Sequence, residues 1–354
     1  MSDIELKNNS KTITDKNKVI LMSYESFKND ICEGNCCFIC GAKPETKSFN
    51  DEHILPDWLL RRFDLHSRFI TLPNLSKYKY GQYKIPCCVE CNSLMGELFE
   101  NPISNLTSLG FEDVANYIQK NGSFKIYIWM LLIFLKTHLK DSTLKMNRDL
   151  RQESGMISDS YDWSDLYSIY CIARSFYSET TISANSQGTF FLIPAKNIPD
   201  FENFDYCDLT NGQGMLLRIN EICFICIFND ACGSLSLFLS HNTDKKYGSF
   251  TPIQYRELFA HLTALNLILQ DRPSFYLSSD CQKYSINVKI PEKAIPGGDF
   301  TKTFGNIFSF LVTELLSKMN NSNIKEIREM ILSGKYTYIF DKNGNFNNES
   351  IIPT

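Results

Sequence analysis

A chain of 354 residues, 43% hydrophobic and 21% charged with a formal net charge of −4, is too apolar for disorder and too acidic overall to be coated in basic surface. The length exceeds one small module and suggests two units, each able to bury a core. The longest apolar run, residues 126–135, is too short to cross a bilayer and no apolar stretch follows a basic start, so a soluble, unexported, cytoplasmic protein with no membrane partner is expected.

Residues 1–30 are polar and rich in Asn and Lys, and read as an arm in which residues 19–22 add a strand or a short helix. Residues 32–102 hold seven of the thirteen cysteines, and after Pro102 apolar periodicity becomes regular. This pattern predicts an arm at 1–30, a cysteine-rich domain at 31–110 and a larger domain at 111–354. Within the larger domain, 124–139 reads as a buried helix and 163–177 as a second helix. Strands are expected over 189–193, over 215–228 with a bulge or break, and over 234–240, with a turn at 229–233. Thr251-Pro252-Ile253-Gln254 has the chemistry of a helix start, since the Thr hydroxyl and Gln side chain can satisfy free backbone N–H groups while Pro occupies the first turn. Leu258, Leu262, Leu265 and Leu269 then form one stripe. Phe304, Phe308, Leu311 and Leu315 repeat helical spacing, as do Ile324, Ile327 and Ile331 before Gly334, and a hairpin is expected at Asp341-Lys342-Asn343-Gly344. The irregular mixture of elements predicts an α+β class.

An odd number of cysteines in a chain without a leader favours metal binding or burial over a disulfide framework. Cys37-Phe38-Ile39-Cys40 and Cys88-Val89-Glu90-Cys91 can each present two thiolates from a tight knuckle, and together suit one closed structural Zn²⁺ site. Cys36 and Cys87 immediately precede the pairs, so three-residue spacings to Cys40 and Cys91 are arithmetically open; the two-residue spacing is preferred. Cys223-Phe224-Ile225-Cys226 repeats the first motif inside a β-rich apolar run with no second pair nearby, and reads as buried strand cysteines. Between the N-terminal pairs lies Asn50-Asp51-Glu52-His53-Ile54-Leu55-Pro56, and Asn92 follows the last cysteine.

The order Cys-x-x-Cys, acidic-His-x-x-Pro, Cys-x-x-Cys-Asn resembles the HNH or His-Me finger (ββα-metal) endonucleases, in the zinc-stapled branch similar to phage endonuclease VII. The resemblance covers 60–70 residues. It implies an N-terminal zinc-stabilised ββα-metal finger, with a hairpin carrying the acidic-His pair and a helix after the second knuckle. It further implies His53 as general base, and Glu52 and Asn92 as ligands of a catalytic Mg²⁺ or Mn²⁺. The chain departs from the family pattern in three places. Glu52 stands where most relatives have Asp, with Asp51 as a possible substitute. The middle asparagine has no match closer than Asn74. One helical turn after Asn92 comes Gly96, which offers no side-chain ligand, leaving Glu97 or Glu100 to contribute. The larger domain loosely resembles extensions on bacterial HNH proteins, some of them from anti-phage systems, where regulation, sensing, partner binding or self-association would be its role.

Arg61, Arg62, Arg68, Lys77, Lys79 and Lys84 face the single acid Asp64 between residues 61 and 86, a local charge of +5 in an acidic chain. Phe63, Phe69, Tyr78, Tyr80 and Tyr83 are interleaved, a mixture suited to phosphate contacts and base stacking. DNA, or RNA, is the expected partner. His66 follows the amphipathic segment 58–63 and reads as a surface residue, with phosphate contact as the alternative, and His138, His241 and His261 receive no chemistry. Two functions follow: a metal-dependent endonuclease, or a non-catalytic zinc module that binds nucleic acid or protein.

Overall fold

A computed structural model of the chain describes residues 3–7, 9–149, 151–199, 201–240, 242, 245–280, 283–317 and 324–348, which leaves His241 outside the described residues. The fold is mixed α+β. Two compact units are present, and neither is one continuous stretch: Met1–Ser108, Gly122–Ser186 and Ser274–Lys289 form the first, and Leu109–Asn121, Gln187–Pro273 and Ile290–Thr354 the second.

In the first unit the polar N-terminal stretch is built into the structure and is not a detached arm. Ile4–Glu5 adds to Ser274–Asp280, which continues through Lys283–Lys289 to Thr181–Ile182 in one four-stranded sheet. Ile13–Asp15 and Lys18–Leu21 form a hairpin whose two turn residues, Lys16 and Asn17, both have positive φ, as the right-handed twist of paired strands requires. Leu6, Leu21, Met22 and Phe27 are buried, and this apolar anchoring fixes the segment.

The site elements follow in chain order: β1 (Phe49–His53), α1 (Asp57–Arg62), β2 (Phe69–Thr71), β3 (Lys77–Lys79), β4 (Lys84–Cys88) and α2 (Val89–Met95). From α2 the helix runs on through a π-helical turn, Gly96–Glu100, into Asn101–Thr107. Helix α3 (Phe124–Asp141) is buried on every side from Ile126 to Leu139, as a run without a polar face must be. It carries Lys136 into the interior. The segment expected as a single helix at 163–177 breaks at Arg174, between Trp163–Ala173 and Ser175–Ser178. The buried Arg174 guanidinium instead donates to Ile39 O at 2.9 Å and Val19 O at 2.7 Å.

The second unit is an antiparallel sheet covered by helices. Its strands are β5 (Thr189–Pro194), β6 (Phe204–Leu209), β7 (Gly214–Ile219) and β8 (Ile222–Ile227), in the order β6-β7-β8-β5. The apolar run at 215–228 is thus two strands, reversed at Asn220, whose φ is +54°. Cys223 and Cys226 are buried in β8. Residues 234–240, expected as a strand, form a helix, α4 (Gly233–Ser240). The cause is a strong helix start. The buried Asp230 carboxylate accepts Ser234 N at 3.0 Å, and Thr189 Oγ1 accepts Leu235 N at 3.1 Å, which satisfies amides a strand would have left for pairing.

Helix α5 (Pro252–Leu267) opens with the expected reciprocal cap between Thr251 and Gln254. Leu258 and Leu262 are buried, while Leu269 lies beyond the helix end. Phe304, Phe308, Leu311 and Leu315 are the buried stripe of α6 (Phe300–Ser317), and Ile327 and Ile331 that of α7 (Ile324–Leu332), which stops before Gly334 at φ +68°. The terminal turn closes with Gly344 N donating to Asp341 O at 2.9 Å.

Candidate functional site

The four expected cysteines converge. Sγ atoms of Cys37, Cys40, Cys88 and Cys91 all lie within 4.8 Å of one another in a buried cluster, and Cys40 and Cys88 are 3.7 Å apart. Four thiolates at about 2.3 Å from one tetrahedral Zn²⁺ would sit about 3.8 Å apart, so the donor set fits structural zinc. Local backbone chemistry builds the first knuckle: Gly41 N donates to Cys37 O at 2.8 Å, and Gly41 adopts φ +75°. A Cβ at Gly41 would also approach Met22 Cε to 2.8 Å. The second knuckle joins the end of β4 to the first turn of α2.

Cys87 also approaches the cluster, with its Sγ 3.8 Å from Cys37, but the mutually close set uses the two-residue spacing in both pairs. Hydrogen bonds from Cys40, Cys87 and Cys91 hold the Cys37 thiol far below its ordinary range, and Cys37 and Cys40 push Cys91 far above it. Sulfurs this crowded cannot all ionise without a cation, and a divalent ion removes that obstacle.

Strand β1 runs antiparallel to β4, with Phe49 opposite Cys88 and His53 opposite Lys84. The thiol cluster therefore lies at one end of the strand pair and His53 at the other, and β4 leads directly into α2. Asn92, in α2, donates its amide to Asn50 Oδ1 at 2.9 Å, which leaves Asn92 Oδ1 as its acceptor.

Glu52 is occupied differently from its implied role. It is buried, and its Oε1 accepts Lys136 Nζ at 2.6 Å, while the same ammonium donates to His53 O at 2.8 Å. Glu100 reaches Lys136 at 3.9 Å, and burial pushes its carboxyl up to about 7 against the lowering effect of Lys136. A lysine thus already supplies the positive charge between two carboxylates. Of the helix residues expected to assist Asn92, Glu100 joins this cluster.

His53 is half-buried, and its pKa is lowered first by that burial and then by the charge of Lys84. Its ring lies edge-on to His66 with centroids 5.9 Å apart. Asp57 completes a group with both histidines, all three donor atoms lying within 4.8 Å of one another. Asp57 did not stand out in the sequence, and His66 was read there as a surface residue. The available signal was local: Asp57 is four residues beyond His53, and His66 follows the helix that Asp57 begins.

The basic segment divides. Lys77 and Lys79 are exposed on β3 and Arg68 is exposed before β2, whereas Lys84 is half-buried beside His53. Arg61 is paired with Asp57 at 2.6 Å. Arg62 is turned inward, donating to Thr107 Oγ1 at 3.0 Å and Ser104 O at 2.9 Å and covering the Trp58 ring at 4.5 Å, so its guanidinium serves packing. Among the aromatics, Tyr83 is core, Tyr78 is half-buried and Phe69 is exposed. Asn74 is a turn residue: its Oδ1 accepts Ser76 N at 2.9 Å and its amide donates to Lys145 O at 2.9 Å. His138 is buried with Nδ1 2.6 Å from Phe134 O, and burial lowers His261 to about 4.

No helix among the described residues is long and apolar enough to cross a membrane. Comparisons with protein-family models, curated proteins and solved structures found no match to this chain.

Proposed function

We propose that the cysteine-framed strand-and-helix element is a metal-dependent endonuclease of the HNH type, hydrolysing phosphodiester bonds of DNA with His53 as general base. The observation that supports this reading is the place of His53. It ends a strand whose antiparallel partner enters a helix, the far end of the pair is held by four thiols, and its ring is partly open beside Lys84. Burial and Lys84 both disfavour the imidazolium, so near neutral pH the ring is a free base able to take a proton from water. Exposed Lys77 and Lys79, on the segment between His53 and Asn92, offer the charge that phosphates require.

A bound Mg²⁺ or Mn²⁺ would supply Lewis-acid stabilisation of the leaving oxygen. Asn92 retains an oxygen suited to such an ion, but Glu52 is committed to Lys136, and a cation on Glu52 requires that pair to open. The same pair is the observation that favours the second reading, a non-catalytic zinc module binding nucleic acid or protein.

Plasmid DNA incubated with the protein and Mg²⁺ or Mn²⁺ separates the two. Nicking that His53→Ala abolishes supports the nuclease. Equal nicking by His53→Ala would refute the base assignment, and tight DNA binding without cleavage under any divalent ion would support the zinc module.

A further inference from the structure

We propose that His53, Asp57 and His66 form a second metal site, separate from the four-cysteine centre, which takes a borderline divalent transition ion such as Ni²⁺ or Zn²⁺. The three donors come from independently anchored pieces of chain. His53 ends β1, where its carbonyl accepts Lys136 Nζ at 2.8 Å and the next residue's amide donates to Tyr83 O at 2.9 Å. Asp57 begins α1, and Arg61 holds its Oδ2 at 2.6 Å, leaving Oδ1 toward His66. His66 is brought back by the reversal after α1, where Asp64 adopts φ +52° and Leu65 N donates to Leu60 O at 2.8 Å.

All three donor atoms lie within 4.8 Å of one another, and one pair has the spacing of two ligands around one ion. His66 Nε2 is 3.2 Å from Asp57 Oδ1. Two ligands at about 2.1 Å from a shared ion are about 3.0 Å apart in octahedral and about 3.4 Å in tetrahedral geometry. The other ring nitrogen of His66 faces Gly81, where a Cβ would come within 3.0 Å of Nδ1 and 2.9 Å of the His66 carbonyl. Glycine at 81 therefore gives the ring its room. Two imidazoles and one carboxylate on a partly open surface suit Zn²⁺, Ni²⁺ or Fe²⁺ and leave positions for water, whereas Mg²⁺ prefers oxygen ligands.

One consequence rests on the proposed endonuclease function. A His53 nitrogen bound to an ion cannot accept a proton, so ions of this class should inhibit Mg²⁺-supported nicking by occupying the base. The binding site itself does not depend on that reading. Equilibrium dialysis against Ni²⁺, with zinc content followed to confirm that the cysteine site stays loaded, should find one further equivalent bound by the wild-type chain. His66→Ala and Asp57→Asn should weaken it by roughly tenfold or more, and Gly81→Ala should weaken it by displacing the His66 ring. Absence of a second equivalent in the wild type, or equal Ni²⁺ affinity in His66→Ala, overturns the site. His66 has a side chain 44% exposed, so its replacement leaves the fold intact. In the nicking assay, Ni²⁺ should suppress wild-type activity and spare His66→Ala. If the wild type never nicks DNA, the functional reading fails and the Ni²⁺ stoichiometry alone decides the site.

Discussion

Lys136→Met tests the charge arrangement beneath the candidate site. Lys136 has a side chain 2% exposed and Glu52 one 8% exposed, so the pair lies in the interior. Removing the ammonium would leave Glu52 without its cation beside the Glu100 carboxyl, and would take the Lys136 donor from the His53 carbonyl. Breaking a buried pair from one side costs about 3–5 kcal/mol, whereas replacing both partners by groups of similar shape is close to neutral. Lys136→Met should therefore destabilise the first unit by about that amount, and the double variant Lys136→Met/Glu52→Gln should recover most of the loss. Urea denaturation followed by tryptophan fluorescence is the fitting assay, because Trp58, Trp129 and Trp163 are the chain's three tryptophans and all belong to this unit. A cost below about 1 kcal/mol for Lys136→Met, or a double variant no more stable than the single, would refute the pair as a structural element. The double variant also bears on function: if it folds and still nicks DNA, Glu52 is not a required cation ligand.

Zinc held by the four-thiol cluster would be lost in Cys88→Ser and retained in Cys87→Ser, as metal analysis of the two purified variants would show; retention in Cys88→Ser would contradict the two-residue spacing. Lys77→Ala/Lys79→Ala should weaken DNA binding and reduce the slope of log affinity against log salt by about 2, while Arg62→Ala should lower thermal stability with little change in that slope. In the second unit, Glu257 and His261 form a neutral pair with His261 Nε2 3.8 Å from Glu257 Oε1. Burial pushes Glu257 up to about 8, so from its ordinary 4.5 to about 8 the folded chain keeps a proton that the unfolded chain has lost, and stability falls as pH rises. Burial pushes His261 down to about 4, so between 4 and its ordinary 6.5 the unfolded chain alone takes a proton, and stability rises with pH. The opposed slopes offset each other up to pH 6.5, leaving a net loss of about 1.4 kcal/mol per pH unit from there to pH 8. Far-UV circular dichroism in urea should show that Glu257→Gln removes this loss; an unchanged pH profile would contradict the assignment.

Local chemistry made several parts of this protein legible from its residues alone. Two Cys-x-x-Cys pairs around a histidine announced a metal frame because ligand spacing in a knuckle is a property of a few consecutive residues. The buried helix expected at 124–139, the Thr251 cap and the stripes of α6 and α7 were readable for the same reason, since periodicity and caps depend on near neighbours. Asp230 shows where local pattern fails: its carboxylate starts helix α4 across a segment expected as a strand. The neighbours of the acidic-His pair were hidden more deeply. Lys136 meets Glu52 across 84 positions of chain, and His66 meets His53 and Asp57 only after a reversal at Asp64. The sequence alone thus determined how the cysteine knuckles, caps and helices are spaced. Only tertiary structure decided which charges face one another, because pairing between distant segments depends on how buried surfaces close and leaves no periodic trace in the chain.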